Sequence, residues 1–232
     1  VGDPNGDFIV VDPAFRHREG MEEVAEAVER HNGNLVAVFY THSHSDHIAD
    51  KGLLKEAFDV PIWSASNNAD RILQDGEKLQ LGNQEWTVLH TPGHHPDHLC
   101  LISEAGLVAG DMVAGIGTIL VPPREGDMIQ YIQQLERLLD LDPHLIFPSH
   151  GPVIPLPERT LEHYITHRIN RHNRVLEAVT SGLSDIQEIA RFAYADTPDA
   201  HPGLAVDQTL SHLLSHEKVG NVSMSGQQWV RT

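Results

Sequence analysis

Thr41-His42-Ser43-His44-Ser45-Asp46-His47 places three histidines and one aspartate within seven residues. The segment directly follows Leu35–Tyr40, an apolar run short enough to be a strand that is buried on both faces. From an extended segment, His42 and His44 can reach one metal ion, and Asp46 and His47 can serve a second one. Imidazole nitrogens and carboxylate oxygens are ligands that Zn²⁺ accepts at ~2 Å. The segment therefore predicts a metal site at the end of a buried strand.

Further side chains of the same kinds follow other predicted strands. The strands are Glu85–His90, Leu107–Ala109 and Leu145–Phe147, and the segments after them are Thr91-Pro92-Gly93-His94, Gly110-Asp111 and Ser149-His150-Gly151. Strand ends of this kind can gather at one face of the sheets. The residues then suffice for two metal ions, with His42, His44 and His94 on the first, Asp46, His47 and His150 on the second, and Asp111 bridging both.

The first part of the chain alternates strand and helix patterns. Phe8–Val11 reads as a strand after an Asn5-Gly6 turn, and apolar residues between Met21 and Val28 recur with helical spacing. Further strands are predicted at 60–63 and 98–103, and Asp127 can cap a helix whose apolar face ends at Leu139. This order predicts layered α/β architecture with helices outside the sheets.

The pattern changes after residue 155. One long helix is predicted near 157–179 and is ended by Ser181-Gly182. Ser184 and Gln187 form a capping-box signature for the next helix, a further helix covers 204–217, and 220–230 looks like a hairpin. Helix, helix and hairpin form the outline of a winged-helix module. We therefore predict two domains, 1–155 and 156–232.

Composition excludes several classes of protein. The single cysteine, Cys100, rules out a disulfide framework, and no apolar run is long enough to span a membrane. The start has no signal-peptide pattern, so we expect a cytoplasmic or organelle-matrix location and no secretion. The formal net charge of −17 disfavours a nucleic-acid partner but leaves room for a local basic groove.

The set THSHSDH…TPGH…GD…SHG resembles the metallo-β-lactamase superfamily over about the first 155 residues. The resemblance implies a four-layer αββα sandwich with a dinuclear metal site at one edge. The donor types favour zinc there, with iron or manganese as alternatives for an all-His/Asp site. Matched residue by residue, the resemblance implies the same ligands as the strand ends do. These are His42, His44 and His94 for the first ion, Asp46, His47 and His150 for the second, and Asp111 for both. The C-terminal part is similar to the winged-helix extension of the lactamase-like protein 2 group, which includes a mitochondrial endoribonuclease. Fungal polyketide thioesterases look like relatives.

The resemblance implies hydrolysis by a hydroxide that bridges the two metals, with Asp46 as the catalytic residue that orients it and moves its proton. We expect a small ester, thioester or lactone as substrate. The alternatives are cleavage of single-stranded RNA, a weak β-lactamase activity, and a non-catalytic protein-interaction module. Residues 184–232 hold six acids and three bases, which argues against RNA. Asp111 as a bridging carboxylate argues against a true lactamase, and the complete ligand set argues against a non-catalytic role.

The sequence also suggests roles for residues outside the ligand set. His98 can orient a metal ligand, and Thr118 and Arg168 can contact substrate. We expect the tail histidines His212 and His216 to be exposed. The apolar stripe of the predicted helix 204–217 needs a surface to cover. This surface can be the core of its own module, the long helix before it or a second copy of the chain, so a homodimer is one expected arrangement.

Overall fold

The computed structural model describes residues 1–3 and 5–232, which form two compact units. The first unit consists of Val1–Thr91, Asp97–Ile116 and Pro143–Pro155. The second consists of Pro92–Pro96, Gly117–Asp142 and Leu156–Thr232. The units alternate along the chain, and the predicted division after residue 155 stays a prediction.

The first unit contains two sheets. The parallel sheet has the order β1 (Asp7–Val11), β2 (Asn34–Phe39), β3 (Ile62–Ser64) and β4 (Arg71–Ile72). The other sheet has the order β5 (Lys78–Leu81), β6 (Gln84–His90), β7 (Leu99–Ser103), β8 (Gly106–Gly110) and β9 (Ile146–Pro148). Its pairs are antiparallel except β8 and β9, which run parallel.

Side chains along β2 alternate between the core that separates the two sheets and the core beneath the outer helices. Ala37 and Phe39 join the core between the two sheets, whereas Val38 and Tyr40 pack under helices. This alternation follows from the two-residue period of a strand, and burial on both faces explains its unbroken apolar sequence. The helices on the outer face are α1 (Arg18–Glu29) and α2 (Lys51–Ala57). The mixed α/β prediction is confirmed.

The second unit is mainly helical. Its elements are α3 (Met128–Asp140), α4 (Pro157–Thr180), α5 (Ile186–Ala193), α6 (Pro202–Lys218), β10 (Val222–Ser225) and β11 (Gln228–Arg231). The last two strands form an antiparallel hairpin. Val175, Ile189, Leu213 and Trp229 belong to one buried cluster that joins the last three helices to the hairpin. The order of helix, helix and hairpin is as predicted, and its assignment as a winged helix stays a prediction.

Several sequence expectations are corrected here. The side chain of Asp185, and not that of Ser184, caps α5 by accepting from the amides of Gln187 and Glu188. The prediction that His212 and His216 are exposed is wrong. They are 0% and 2% exposed, because both pack against His172 of α4, whose carbonyl lies 2.9 Å from His216 Nε2 and whose Nδ1 lies 3.2 Å from His212 Nδ1. Strands β4 and β5 were not predicted, since they are short and partly exposed.

Candidate metal centre

Four residues of the candidate site lie just after strands of the first unit. Asp12 follows β1, His42 comes shortly after β2, Asp111 follows β8, and His150 comes shortly after β9. Within each parallel pair, the carboxyl ends lie at the same edge of a sheet. The backbone amide of Leu99 donates to the carbonyl of Thr41 at 2.8 Å and so joins the two sheets at this edge. The topology therefore gathers residues that are far apart in sequence.

His42 and His44 present nitrogen atoms to each other. His42 Nε2 lies 2.9 Å from His44 Nδ1, and the two rings are nearly perpendicular at 79°. The hydroxyl of Thr41 donates to Asp12 Oδ2, so Thr41 Oγ1 accepts from Nδ1 of His42 at 2.9 Å. That tautomer leaves the lone pair of His42 on Nε2. Nitrogen ligands of a tetrahedral zinc ion are roughly 3.3 Å apart at Zn–N distances of ~2.05 Å, which is close to the observed separation.

A second group of donors lies beside the first. Asp111 Oδ1 is 3.5 Å from His47 Nε2 and 3.4 Å from His150 Nε2. Asp46 Oδ2 is 3.8 Å from His47 Nε2 and 3.7 Å from His150 Nε2. These separations approximate the edges of a small coordination polyhedron. His42, His47 and Asp111 also have ligand atoms within 4.8 Å of one another, so Asp111 is placed to touch both groups.

The charge state of His47 fits a site built for a cation. Its Nε2 is buried and makes no hydrogen bond to any described residue. Burial alone would lower the pKa of His47, but the carboxylates of Asp111 and Asp12 outweigh it and raise the pKa to about 10. A proton thus occupies the position that a metal ion would take, because an imidazole must be neutral to bind metal. The residues present therefore fit a metal ion.

Asp12 is a residue of this centre that the sequence analysis missed. Its carboxylate accepts from the amide of Thr41 at 2.8 Å, from Nδ1 of His47 at 2.8 Å and from the hydroxyl of Ser149 at 3.1 Å. Carboxylates that accept from the second nitrogen of a histidine fix its orientation and raise its basicity. Asp12 directly follows a strand, as several predicted ligands do, and this position in the sequence could have identified it as a residue of the site.

His98 holds the backbone beside Asp111. Its Nε2 accepts from the amide of Asp111 at 3.0 Å, so Nδ1 is the protonated nitrogen and donates to Thr91 Oγ1 at 2.7 Å. Gly110 is required next to it, because a Cβ there would lie 2.5 Å from His98 Nε2 and because its φ is +51°. His98 is fully buried and contacts the main chain of a predicted ligand.

His94 belongs to the second unit. Its Nδ1 lies 2.7 Å from the carbonyl oxygen of Leu120, which only accepts, so Nδ1 donates and the lone pair is on Nε2. The turn before it needs glycine, since a Cβ on Gly93 would lie 2.3 Å from the amide nitrogen of Tyr131. The first unit thus brings together six of the seven predicted ligands, and the second unit fixes the tautomer of the seventh.

Arg168 and Thr118, the predicted substrate contacts, bind each other. Arg168 is 2% exposed and donates to Thr118 Oγ1 at 2.9 Å, to Gln208 Oε1 at 2.8 Å and to the carbonyl of Ile119. The observed role of this guanidinium is to tie the segment that follows residue 116 to the helices of the second unit. Contact of either residue with substrate stays a prediction.

Comparison with known proteins identifies the family of this chain. Residues 1–83 and 66–150 match the sequence pattern described as the metallo-beta-lactamase superfamily. The chain belongs to the metallo-beta-lactamase superfamily. The superfamily predicted from the histidine motif is thereby confirmed.

Three similar proteins illustrate the relationship. A beta-lactamase-like protein 2 homolog of Drosophila melanogaster is 28% identical over 87% of this chain and 75% of its own length. An atrochrysone carboxyl ACP thioesterase of Paecilomyces divaricatus is 26% identical over 86% of this chain and 64% of its own length. A crystal structure of a metallo-beta-lactamase family protein from Thermus thermophilus superposes with a TM-score of 0.76 at 16% identity and covers 97% of this chain and 90% of its own.

These comparisons support the superfamily hydrolase prediction, which is confirmed at that level. The chain spans less than two thirds of the length of the fungal thioesterase. No helix among residues 1–3 and 5–232 is both long and apolar enough to cross a membrane.

Proposed function

We propose that this chain hydrolyses a small ester, thioester or lactone at a centre that holds two metal ions, with zinc as the first choice. The observation that carries the proposal is the group of imidazole and carboxylate donors at the strand ends of the first unit. We assign His42, His44 and His94 to one ion, Asp46, His47 and His150 to the other, and Asp111 to both. The TPGH motif supports the choice of His94.

The metals, when bound, lower the pKa of a water molecule and polarise the carbonyl oxygen of the substrate. The protein contributes two carboxylates with different surroundings. The side chain of Asp111 is 8% exposed, and His98 holds its backbone, so Asp111 stays a fixed ligand. The side chain of Asp46 is 62% exposed and lies between His47 and His150. Asp46 is thus placed to orient the attacking water and to carry its proton to the leaving group.

The acyl substrate is supported by one relative and by charge. The thioesterase from P. divaricatus is similar over most of this chain. In the second unit, Arg171 lies 2.8 Å and Arg174 lies 3.7 Å from carboxylate oxygens of Asp196, and Lys218 lies 2.6 Å from a carboxylate oxygen of Asp127. Cations that are already paired contribute little to binding phosphates. An RNA substrate is therefore disfavoured.

The test combines metal content, substrate panel and RNA binding. Protein purified with added zinc, iron or manganese is analysed for metals, and about two ions per chain are expected. The loaded protein is then assayed with acetyl esters, acetyl thioesters, a lactone and a chromogenic β-lactam. Turnover of the acyl compounds above that of the β-lactam supports the proposal. Sub-micromolar binding of single-stranded RNA that weakens steeply with salt, together with RNA cleavage, would replace it with a nuclease.

A further inference from the structure

A cavity of ≈ 200 Å³ lies in the first unit beside the histidine motif. It is lined by the turn that carries His42 and Ser43, by the start of α2, by β3 and by the segment that follows β3. None of these side chains apart from His42 takes part in the proposed metal set. The cavity is therefore additional space that adjoins the proposed centre through His42.

The surface exposed inside the cavity is mostly apolar, although Ser43, Ser64, Ser66 and Asn68 also line it. Leu54 of α2 and Ala49 are buried, and they face the cavity together with Ile62 of β3 and with Ala69. The polar hydroxyl of Tyr40, another lining residue, already accepts from the amide of Ala49 at 3.2 Å. Such walls favour a hydrocarbon over a polar group, because burial of an unsatisfied polar group costs free energy.

The rim of the cavity carries balanced charges. Lys51 and Asp97 are its two charged lining residues besides the histidine, and their formal charges cancel. Lys51 is exposed, so its ammonium can remain in water while its methylene stem covers apolar surface. An uncharged ligand is thus favoured over a phosphate or a free carboxylate.

We propose that this cavity binds the acyl chain of the substrate, a straight chain of about eight carbons, with the scissile carbonyl towards His42. This inference rests on the proposed function. The size follows from volume, because a dry cavity of ~150 Å³ holds the six carbons of benzene, and the observed volume is one third larger. The orientation follows from the lining, since His42, a proposed metal ligand, is one of the lining residues.

The first test is a chain-length series. N-Acetylcysteamine thioesters with acyl chains from two to twelve carbons are assayed with the metal-loaded protein. We expect kcat/KM to rise about fourfold for each added methylene, the factor that corresponds to ~0.8 kcal/mol per buried CH₂. The rise should stop near eight carbons, where the cavity is full. A flat series would overturn the inference and leave the proposed hydrolysis standing.

The second test uses a variant whose cavity is smaller. Ala69→Leu adds three carbons to its wall, so the best substrate should become shorter by about three carbons. Ala27→Leu makes the same change on the exposed face of α1 and should leave the series unchanged. An unchanged optimum in Ala69→Leu, or an equal shift in both variants, would contradict the inference.

A binding measurement that involves no hydrolysis tests the cavity independently of the proposed reaction. Calorimetry with hexanamide and acetamide measures occupation of the cavity by ligands that carry no ester or thioester bond. We expect hexanamide to bind the wild-type protein more tightly than acetamide does, and Ala69→Leu to reduce that difference by about the contribution of one methylene, roughly fourfold, because a cavity for about five carbons cannot hold all six. If this holds while no thioester is hydrolysed, the cavity is confirmed and the proposed function is wrong. Equal binding of both amides contradicts the inference.

Discussion

Asp12 Oδ2 accepts a hydrogen bond from Nδ1 of His47 at 2.8 Å, and the ring nitrogen on the other side of His47 faces Asp111. The carboxylate of Asp12 thus holds Nδ1 of His47, while the carboxylate of Asp111 lies near Nε2, the nitrogen that would bind the proposed metal ion. The arrangement sets the tautomer that binding requires. It also explains why a residue outside the proposed ligand set should control metal affinity.

We expect Asp12→Asn to weaken binding of the second metal by about 10- to 100-fold. Asparagine keeps the shape of the side chain but lacks the charge that holds Nδ1 protonated. Competition with a fluorescent chelator measures the affinity of each site. Asp59→Asn, at an exposed position, is the matched control and should bind metal as tightly as the wild type does. Wild-type affinity in Asp12→Asn would show that the contact is not needed.

Asp46→Ala should reduce kcat by at least about 10²-fold, the lower range for loss of a general acid–base residue. The fold and the site of His42, His44 and His94 should remain, so about one metal ion per chain should still bind. Metal analysis, circular dichroism and steady-state assays on an acetyl thioester give the three readouts. A kcat near that of the wild type would show that Asp46 does not move the proton.

The metal-free protein should lose stability as the pH rises. The pKa of His47 lies near 10 in the folded chain against an ordinary value of 6.5, so its protonated form is stabilised by folding. This contribution is complete below pH 6.5 and is lost as the pH rises to about 10. Urea unfolding of chelator-treated protein at several pH values should show the decline. His47→Gln should flatten it, and an identical slope in both proteins would refute the assignment.

The same proton predicts how metal binding depends on pH. At neutral pH the metal must displace the proton from His47, so binding should release it to the buffer. Calorimetry in two buffers of different ionisation enthalpy counts the protons released. His47→Gln should release about one proton fewer.

The second unit should be destabilised by acid. His172 stacks on His216 with ring centroids 3.6 Å apart, and burial together with His216 lowers the pKa of His172 to about 4. The stability due to a neutral His172 is present above pH 6.5 and is lost as the pH falls through about 4. Thermal unfolding of His172→Gln should depend less on acid than that of the wild type. His144→Gln, at an exposed position, should behave like the wild type.

Gly110→Ala should cost more than Gly76→Ala. Both glycines have positive φ, +51° and +78°, but Gly76 has nothing within 4 Å of an added Cβ, whereas Gly110 faces His98. We expect about 1 kcal/mol for the strain at Gly76 and at least about 2 kcal/mol more for the clash at Gly110. Denaturant titration measures the difference, and metal analysis of Gly110→Ala should show reduced occupancy. Equal costs would mean that His98 moves aside freely.

The sequence predicts much of the centre because strand ends and metal-binding residue types coincide in it. His42, Asp111 and His150 each follow an apolar run that is a strand in the structure. Asp12 follows such a run as well, but a lone aspartate before proline reads equally well as a turn. Its role depends on a φ of 45° and on contacts with residues up to 137 positions away, which no local pattern encodes.

The second unit is harder to predict for a different reason. The buried face of α6 includes Gln208, Ser211 and His212, which an amphipathic pattern assigns to solvent. Gln208 Nε2 and Ser211 Oγ both donate to the carbonyl of Val121, so these polar groups are buried because they are paired. Such pairs join distant segments, and a hydrophobic period carries no information about them.

The hydrogen bond between Ser149 and Asp12 also has a consequence for biosynthesis. It closes a loop of 137 residues, and loop closure of this length is entropically costly. During synthesis, β9 and His150 emerge from the ribosome long after the histidine motif. An early metal ion would meet only the ligands His42, His44, Asp46 and His47, without Asp111 or His150 to complete their set. On the proposed assignment, the ion held by Asp46, His47 and His150 acquires its full ligand set only after residue 150 has been synthesised, so loading of that ion is expected late in the maturation of this chain.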